Sequence, residues 1–167
     1  LTPSSGEIFF NGQSYSSMND HSISALRCVH IGYTSQSIQL LQALTVEENI
    51  NFAMEFSLHR SLSKQSFPDT EYIMNYLGLT EKRDCLPRYL SGGQKRRAMI
   101  AVTWARNPRL FLLDEPTNDL DDYWAEQVMK LFQGLNDNGK SVVLVTHNQQ
   151  YMCRAKKHFK LIDGQLI

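Results

Sequence analysis

The sequence predicts an α/β fold: a mostly parallel sheet with helices packed on it and a helical segment inserted into the chain. Three observations carry that prediction. From residue 91 onward, apolar runs of strand length alternate with amphipathic runs of helix length, the pattern of parallel βαβ units. The short runs, among them Leu110-Phe111-Leu112-Leu113 and Val142-Val143-Leu144-Val145, are apolar at every position, as strands covered on both faces are. Residues 44–89 carry helix signals and no strand pattern, and they interrupt the sheet.

The elements follow in order. Thr2-Pro3-Ser4-Ser5-Gly6 is turn chemistry; Glu7 to Phe10 reads as a strand and Asn11-Gly12 as a hairpin turn. A short helix is expected over 23–27 and a strand over 29–33, running into Thr34-Ser35-Gln36. Thr45-Val46-Glu47-Glu48 is a capping box, opening a helix to about Leu58 with Val46, Ile50, Ala53, Met54 and Leu58 on one face. Residues 57–66 are polar and serine-rich, a loop. Asp69 caps a further helix with Ile73, Met74 and Leu77 inward, ending near Gly78. Beyond Pro87 the order is helix 91–105, strand 110–114, helix 122–133, strand 141–146, helix 148–154 and strand 158–162. Asp163-Gly164 is then a turn before a last edge strand. Residues 1–43 and 90–167 form the sheet core in this reading, and 44–89 the helical subdomain.

Composition narrows the function. The 167 residues suffice for one domain with a real core, and an apolar content of 42% with 20% charged residues is that of a globular protein. Seventeen Lys and Arg balance seventeen Asp and Glu, which argues against a nucleic-acid binder that relies on bulk positive charge. No apolar run approaches the roughly 20 residues that span a bilayer, and no secretory signal pattern opens the chain. Cys28, Cys85 and Cys153 are widely spaced and odd in number, so neither a disulfide framework nor a zinc site is expected and a reducing compartment is.

One motif is a decoy. Residues 134–141, Gly-Leu-Asn-Asp-Asn-Gly-Lys-Ser, match the phosphate-loop pattern G-x-x-x-x-G-K-[ST]. Such a loop works only after a strand and before a helix, where its amides and the helix start face the phosphates. Here a helix precedes and a strand follows, so Gly139 is expected to end a helix-to-strand loop and Lys140 to be exposed. No other phosphate loop occurs in the chain.

Chemistry concentrates in three stretches. Leu90-Ser91-Gly92-Gly93-Gln94 precedes Lys95-Arg96-Arg97 and an apolar-periodic run. Ser91 reads as an N-cap, and Gly92 and Gly93 remove side chains where a ligand would approach a helix start carrying about half a positive charge. Leu110 to Leu113 ends in Asp114-Glu115, at the carboxyl edge of a buried strand where ligands bind in open α/β sheets. Val142 to Thr146 ends in His147. This order and spacing resemble the nucleotide-binding domain of ABC ATPases, with a P-loop NTPase-like sheet. The likeness covers nearly the whole chain through five motifs.

The resemblance implies roles. Asp114 would contact magnesium, Glu115 would polarise the water that attacks the γ-phosphate, and Gln36 would reach both metal and water. His147 matches the family's switch histidine, and neutral imidazole would bond the γ-phosphate and Glu115 together. Asp121, in Asn118-Asp119-Leu120-Asp121, would cross a dimer interface or cap the next helix, or both; Asp119 departs from the commonest pattern by adding a charge. Ser91, Gly92, Gly93 and Gln94 would bind the ATP held by a second ATP-binding domain packed head to tail.

The function implied is that of an ATP-binding and ATP-hydrolysing subunit that powers a transmembrane permease from the cytoplasmic face of the membrane. ATP and Mg2+ are the implied cofactors, and no nucleic acid is expected. Thr45 to Asn49 and the Gln36 region resemble the lipoprotein-release and macrolide-export group. In the family a phosphate loop lies upstream of a Pro-Ser-Ser-Gly-Glu-Ile type of hairpin, so the chain reads as truncated at its N-terminus and as a poor ATP binder alone. Two rival readings are a soluble translation-factor ATPase, suggested by Thr117-Asn118 and Leu120-Asp121, and a non-hydrolysing module, suggested by the absent loop. Neither substrate nor direction of transport is encoded here.

Overall fold

The structure is a computed structural model that describes residues 3–58 and 67–167. The serine-rich loop expected over 57–66 lies outside the described residues from residue 59 on; Ser57 and Leu58 close a helix instead.

Strands β1 (Phe9–Phe10) and β2 (Gln13–Ser14) form the expected hairpin, turned by Asn11 and Gly12 at positive φ. Helix α1 (Asp20–His30) starts at Asn19, whose side chain accepts the Ser22 amide at 2.8 Å. It runs further than expected and takes in Val29 and His30, so β3 is Ile31–Thr34. A short apolar run is ambiguous by period alone, and the cap decides it. Arg106 closes α1, donating from Nη2 to the carbonyls of Arg27, Cys28 and Ile31.

Helix α2 (Val46–Leu58) carries the predicted capping box: Glu48 N donates to Thr45 Oγ1 at 3.2 Å and Thr45 N to Glu48 Oε2 at 2.7 Å. Its next amides, on Val46 and Glu47, donate to the carbonyls of Cys85 and Arg83. Helix α3 (Thr70–Tyr76) is capped by Asp69 as expected. Arg83 pairs with Glu47 on α2 and Glu71 on α3 and so ties the two together.

Helix α4 (Gly92–Ala105) is the common wall. Ala98, Met99, Ile100, Ala101, Trp104 and Ala105 are buried on it. They pack in one cluster with Val46, Ile50, Ile73, Met74 and Leu77 of the helical stretch and with Phe111 and Leu113 of the sheet. Trp104 meets Tyr72 and Tyr76 edge-on, with centroids 5.7 and 5.5 Å away. Arg97 donates to the carbonyls of Leu77 and Gly78 and lies 4.0 Å over the ring of Trp124. A side chain on Gly78 would strike that ring at 2.3 Å, so glycine admits it.

The sheet has the order β3-β4-β5, all parallel, with β4 at Leu110–Asp114 and β5 at Ser141–Val145. Helix α5 (Asp122–Asp137) joins β4 to β5 and seats Val128, Leu131 and Phe132 in the core. The face with Gly32, Thr34, Phe111 and Leu113 is buried. The other face is not: Tyr33, Val143 and Val145 are more than half exposed. This corrects the expectation of strands covered on both faces, because continuous apolar sequence is compatible with one open face.

After β5 the chain departs from expectation again. Helix α6 is one turn, Gln149–Met152. The strand expected over 158–162 shrinks to β6 (Leu161–Ile162), which pairs antiparallel with β7 (Gln165–Leu166) in its own hairpin rather than joining the parallel sheet. Gly139, at positive φ, does end the helix-to-strand loop, which disposes of the decoy. Lys140 is not exposed, however. It is half-buried, its ammonium donates to the Asn107 carbonyl at 3.1 Å, and burial together with Arg109 lowers its pKa.

Candidate functional site

Register places the candidate residues along one edge. Thr34 lies opposite Leu113, and Asp114 opposite Val145. Gln36, Asp114-Glu115 and His147 therefore all follow the carboxyl ends of three adjacent parallel strands, where an α/β sheet presents its ligand groups.

Glu115 and His147 are brought into contact. Glu115 leaves β4 in the left-handed region, at φ 48°, a conformation that costs a non-glycine residue about 1 kcal/mol and must be held by its surroundings. Its amide donates to the Val145 carbonyl at 3.0 Å. Its carboxylate oxygen Oε1 accepts the His147 amide at 3.0 Å and lies 2.8 Å from His147 Nδ1; Oε2 accepts from Thr146 Oγ1 at 3.3 Å. The His147 ring is 80% exposed and Glu115 only 16%, so the acid is held inside and the ring faces out. Asp114 is half-buried at the end of β4.

Ser91 caps α4 as the sequence suggests, and Gln94 completes a capping box that the sequence reading did not include. Gln94 N donates to Ser91 Oγ at 3.2 Å, and Ser91 N donates to Gln94 Oε1 at 3.0 Å. Ser91 and Gly92 are exposed and Gly93 is half-buried. The side-chain oxygen of Gln94 is committed to the cap, leaving its amide group for a ligand. Gly93 has an internal reason to be glycine, because a Cβ there would lie 2.7 Å from the backbone oxygen of Asp119.

Asp121 caps α5, accepting the Trp124 amide at 2.9 Å, while staying exposed. Gln36 is exposed, and its carbonyl accepts from Arg96 Nη2 at 2.8 Å. Sequence reasoning missed Arg96, Arg97 and Thr146. The signal for the arginines was Lys95-Arg96-Arg97 itself: cations beside the positive end of a helix need acceptors from elsewhere.

Among the described residues no group of three or more His, Cys, Asp or Glu could hold a metal. A single carboxylate at a strand end fits a hard cation that takes most of its oxygens from phosphate and water. No described helix is long and apolar enough to cross a membrane.

The fold is that of the P-loop NTPase cassettes. Two solved dimers of the ATP-binding cassette MJ0796, one of them a post-hydrolysis state bound to ADP and Pi, superpose with a TM-score of 0.78 at 29% and 27% identity. Each match covers 90% of this chain and 66% of the other. A family model described as ABC transporter matches residues 1–118. An ABC transporter ATP-binding protein of Methanocaldococcus jannaschii is 33% identical over 99% of this chain and 73% of its own length. The lipoprotein-releasing system ATP-binding protein LolD of Francisella tularensis is 32% identical over 98% of this chain and 71% of its length. The macrolide export ATP-binding/permease protein MacB of Escherichia coli is 33% identical, and this chain spans 25% of it. The chain belongs to the ABC transporter family, as one of its ATP-binding parts.

Proposed function

We propose that this chain is the ATP-hydrolysing part of an ABC transporter, driving a membrane permease through ATP-dependent head-to-tail pairing of two such domains. The observation that carries the reading is the Glu115 carboxylate, held by His147 and Thr146 beside Asp114 at the sheet edge. Glu115 orients and deprotonates the attacking water; Asp114 and Gln36 would hold Mg2+, which would neutralise charge on the phosphates. Positioning and charge stabilisation do most of the work in such a transfer. His147 donates to the γ-phosphate while touching Glu115.

The exposed tip at Ser91, Gly92, Gly93 and Gln94 meets the nucleotide of the second domain, and Asp121 lies on the same interface. Residues 44–89 act as a helical subdomain that turns against the rest, with α4 as the shared wall. A cleft of about 440 Å³, lined by Arg27, Leu41, Phe52, Phe56, Val102 and Arg106, receives the permease. Phe52 and Phe56 are exposed there and stack at 6.2 Å. The protein would sit at the cytoplasmic face of the membrane through that contact. Relatives named for lipoprotein release and macrolide export favour transport over a translation-factor role.

The test is Glu115→Gln in the full-length protein. ATP binding should persist, a closed dimer should accumulate, and turnover should fall by about two or more orders of magnitude. Unchanged turnover rejects the role of Glu115, and a wild type that dimerises on ATP without hydrolysing it supports the non-hydrolysing module instead.

A further inference from the structure

Arg96 sits near the start of α4 with its side chain 2% exposed. A guanidinium buried there is costly twice over, by desolvation and by lying near the positive end of a helix. An apolar residue would fill the space at less cost. What arginine adds is a planar fork of five donors, and the structure uses it across three segments. Nη1 donates to the Ser35 carbonyl at 2.9 Å, and Nη2 to the Gln36 carbonyl at 2.8 Å. Nη2 also lies 3.5 Å from Asp119 Oδ2. The loop that carries Asp119 is held a second time by its contact with Gly93, on the same helix. Asp119 itself is at φ 65°, so its conformation depends on such contacts. The charge that sets residue 119 apart in the sequence thus has a buried counter-charge.

We propose that Arg96 is a positioning residue for the ATPase site, with Asp119 as its charge partner. It fixes the Gln36 loop, the 118–121 loop and the helix tip at 91–93 in one relative geometry. This rests on the reading above, in which those three segments serve one nucleotide site. Motion of the Gln36 loop is then transmitted to the other two through the Arg96 side chain.

The test uses Asp119→Asn, Arg96→Gln and the double variant in the full-length protein. The first readout needs no nucleotide: hydrogen exchange of peptides covering 35–37 and 118–121. Asp119→Asn keeps the size of a side chain that is 56% exposed, and a urea melt checks that the fold persists; it should raise exchange at 35–37, which Asp119 reaches through Arg96. Arg96→Gln should raise exchange in both loops, and the double variant no further. The second readout is steady-state kinetics. Each single variant should lower kcat by about tenfold or more with KM nearly unchanged, and the double variant should match Arg96→Gln. Unchanged exchange at 35–37 in Asp119→Asn overturns the proposal, as do additive losses of kcat. A wild type without ATPase activity overturns the proposed function instead, and the exchange measurement then still decides the bridge.

Discussion

Gly93 and Asp119 are packed so closely that a methyl group on the glycine would lie 2.7 Å from the aspartate's backbone oxygen. At Gly92 the same addition meets only the Asp119 side chain, at 3.6 Å. The two glycines should therefore fail differently. Gly93→Ala should lower unfolding free energy by about 1–2 kcal/mol, overpacking outweighing the gain in helix propensity. Gly92→Ala should be as stable as wild type while losing ATP-driven dimerisation. Urea melts beside light scattering separate them.

Ser91 is predicted to carry two separable roles. Ser91→Ala removes the cap and should cost about 1 kcal/mol of stability. Ser91→Asp keeps an acceptor for the Gln94 amide, so its melt should match wild type, but its carboxylate would repel a phosphate. Ser91→Arg should block association on ATP while monomer nucleotide affinity stays nearly intact. Dimerisation surviving in Ser91→Asp and Ser91→Arg would sink the interface assignment.

His147 shares the holding of Glu115 between its ring and its backbone amide. Removing the ring leaves the amide contact in place. His147→Ala should thus cut kcat by about tenfold, less than the loss expected for Glu115→Gln. Equal losses would show that the amide and Thr146 contacts are not enough to keep the acid working without the ring.

His30 gives a pH dependence of stability. Burial first, then the Arg109 charge, hold its pKa below the usual 6.5, and its ring stacks on Phe10 at 5.9 Å. The unfolded chain then binds a proton that the folded chain resists. Stability is full above the unfolded value and declines as the pH falls from there through the folded one. His30→Phe keeps the stack and should remove that part of the decline. Urea midpoints at about pH 7.5 and about pH 5.5 show it.

Much of the fold was legible because caps and strand ends have local causes. Asn11-Gly12 turns the hairpin through its own positive φ, and Thr45 with Glu48, Asp69 and Ser91 each satisfy amides within three residues; each of these features stands where the sequence puts it. What failed depended on distant partners. Nothing local says that Tyr33, Val143 and Val145 share an open face, that Lys140 reaches Asn107, or that residues 158–160 stay out of the sheet. The same division runs through the site. Asp114, Glu115 and His147 were legible as strand-end residues. The grip of Thr146 on Glu115 and of Arg96 on Ser35 and Gln36 depends on segments that meet only in the folded chain.

Asn49 shows how narrow the choice of residue can become within that fold. Its side chain is almost wholly enclosed, taking the Leu41 amide on Oδ1 at 2.8 Å and giving Nδ2 to the carbonyls of Leu41, Leu44 and Thr45. Aspartate, of the same size, has no hydrogens to give and would set a carboxylate against three oxygens. The turn that brings the chain from the Gln36 loop onto α2 is thus legislated by a carboxamide whose hydrogen-bond partners are all backbone groups.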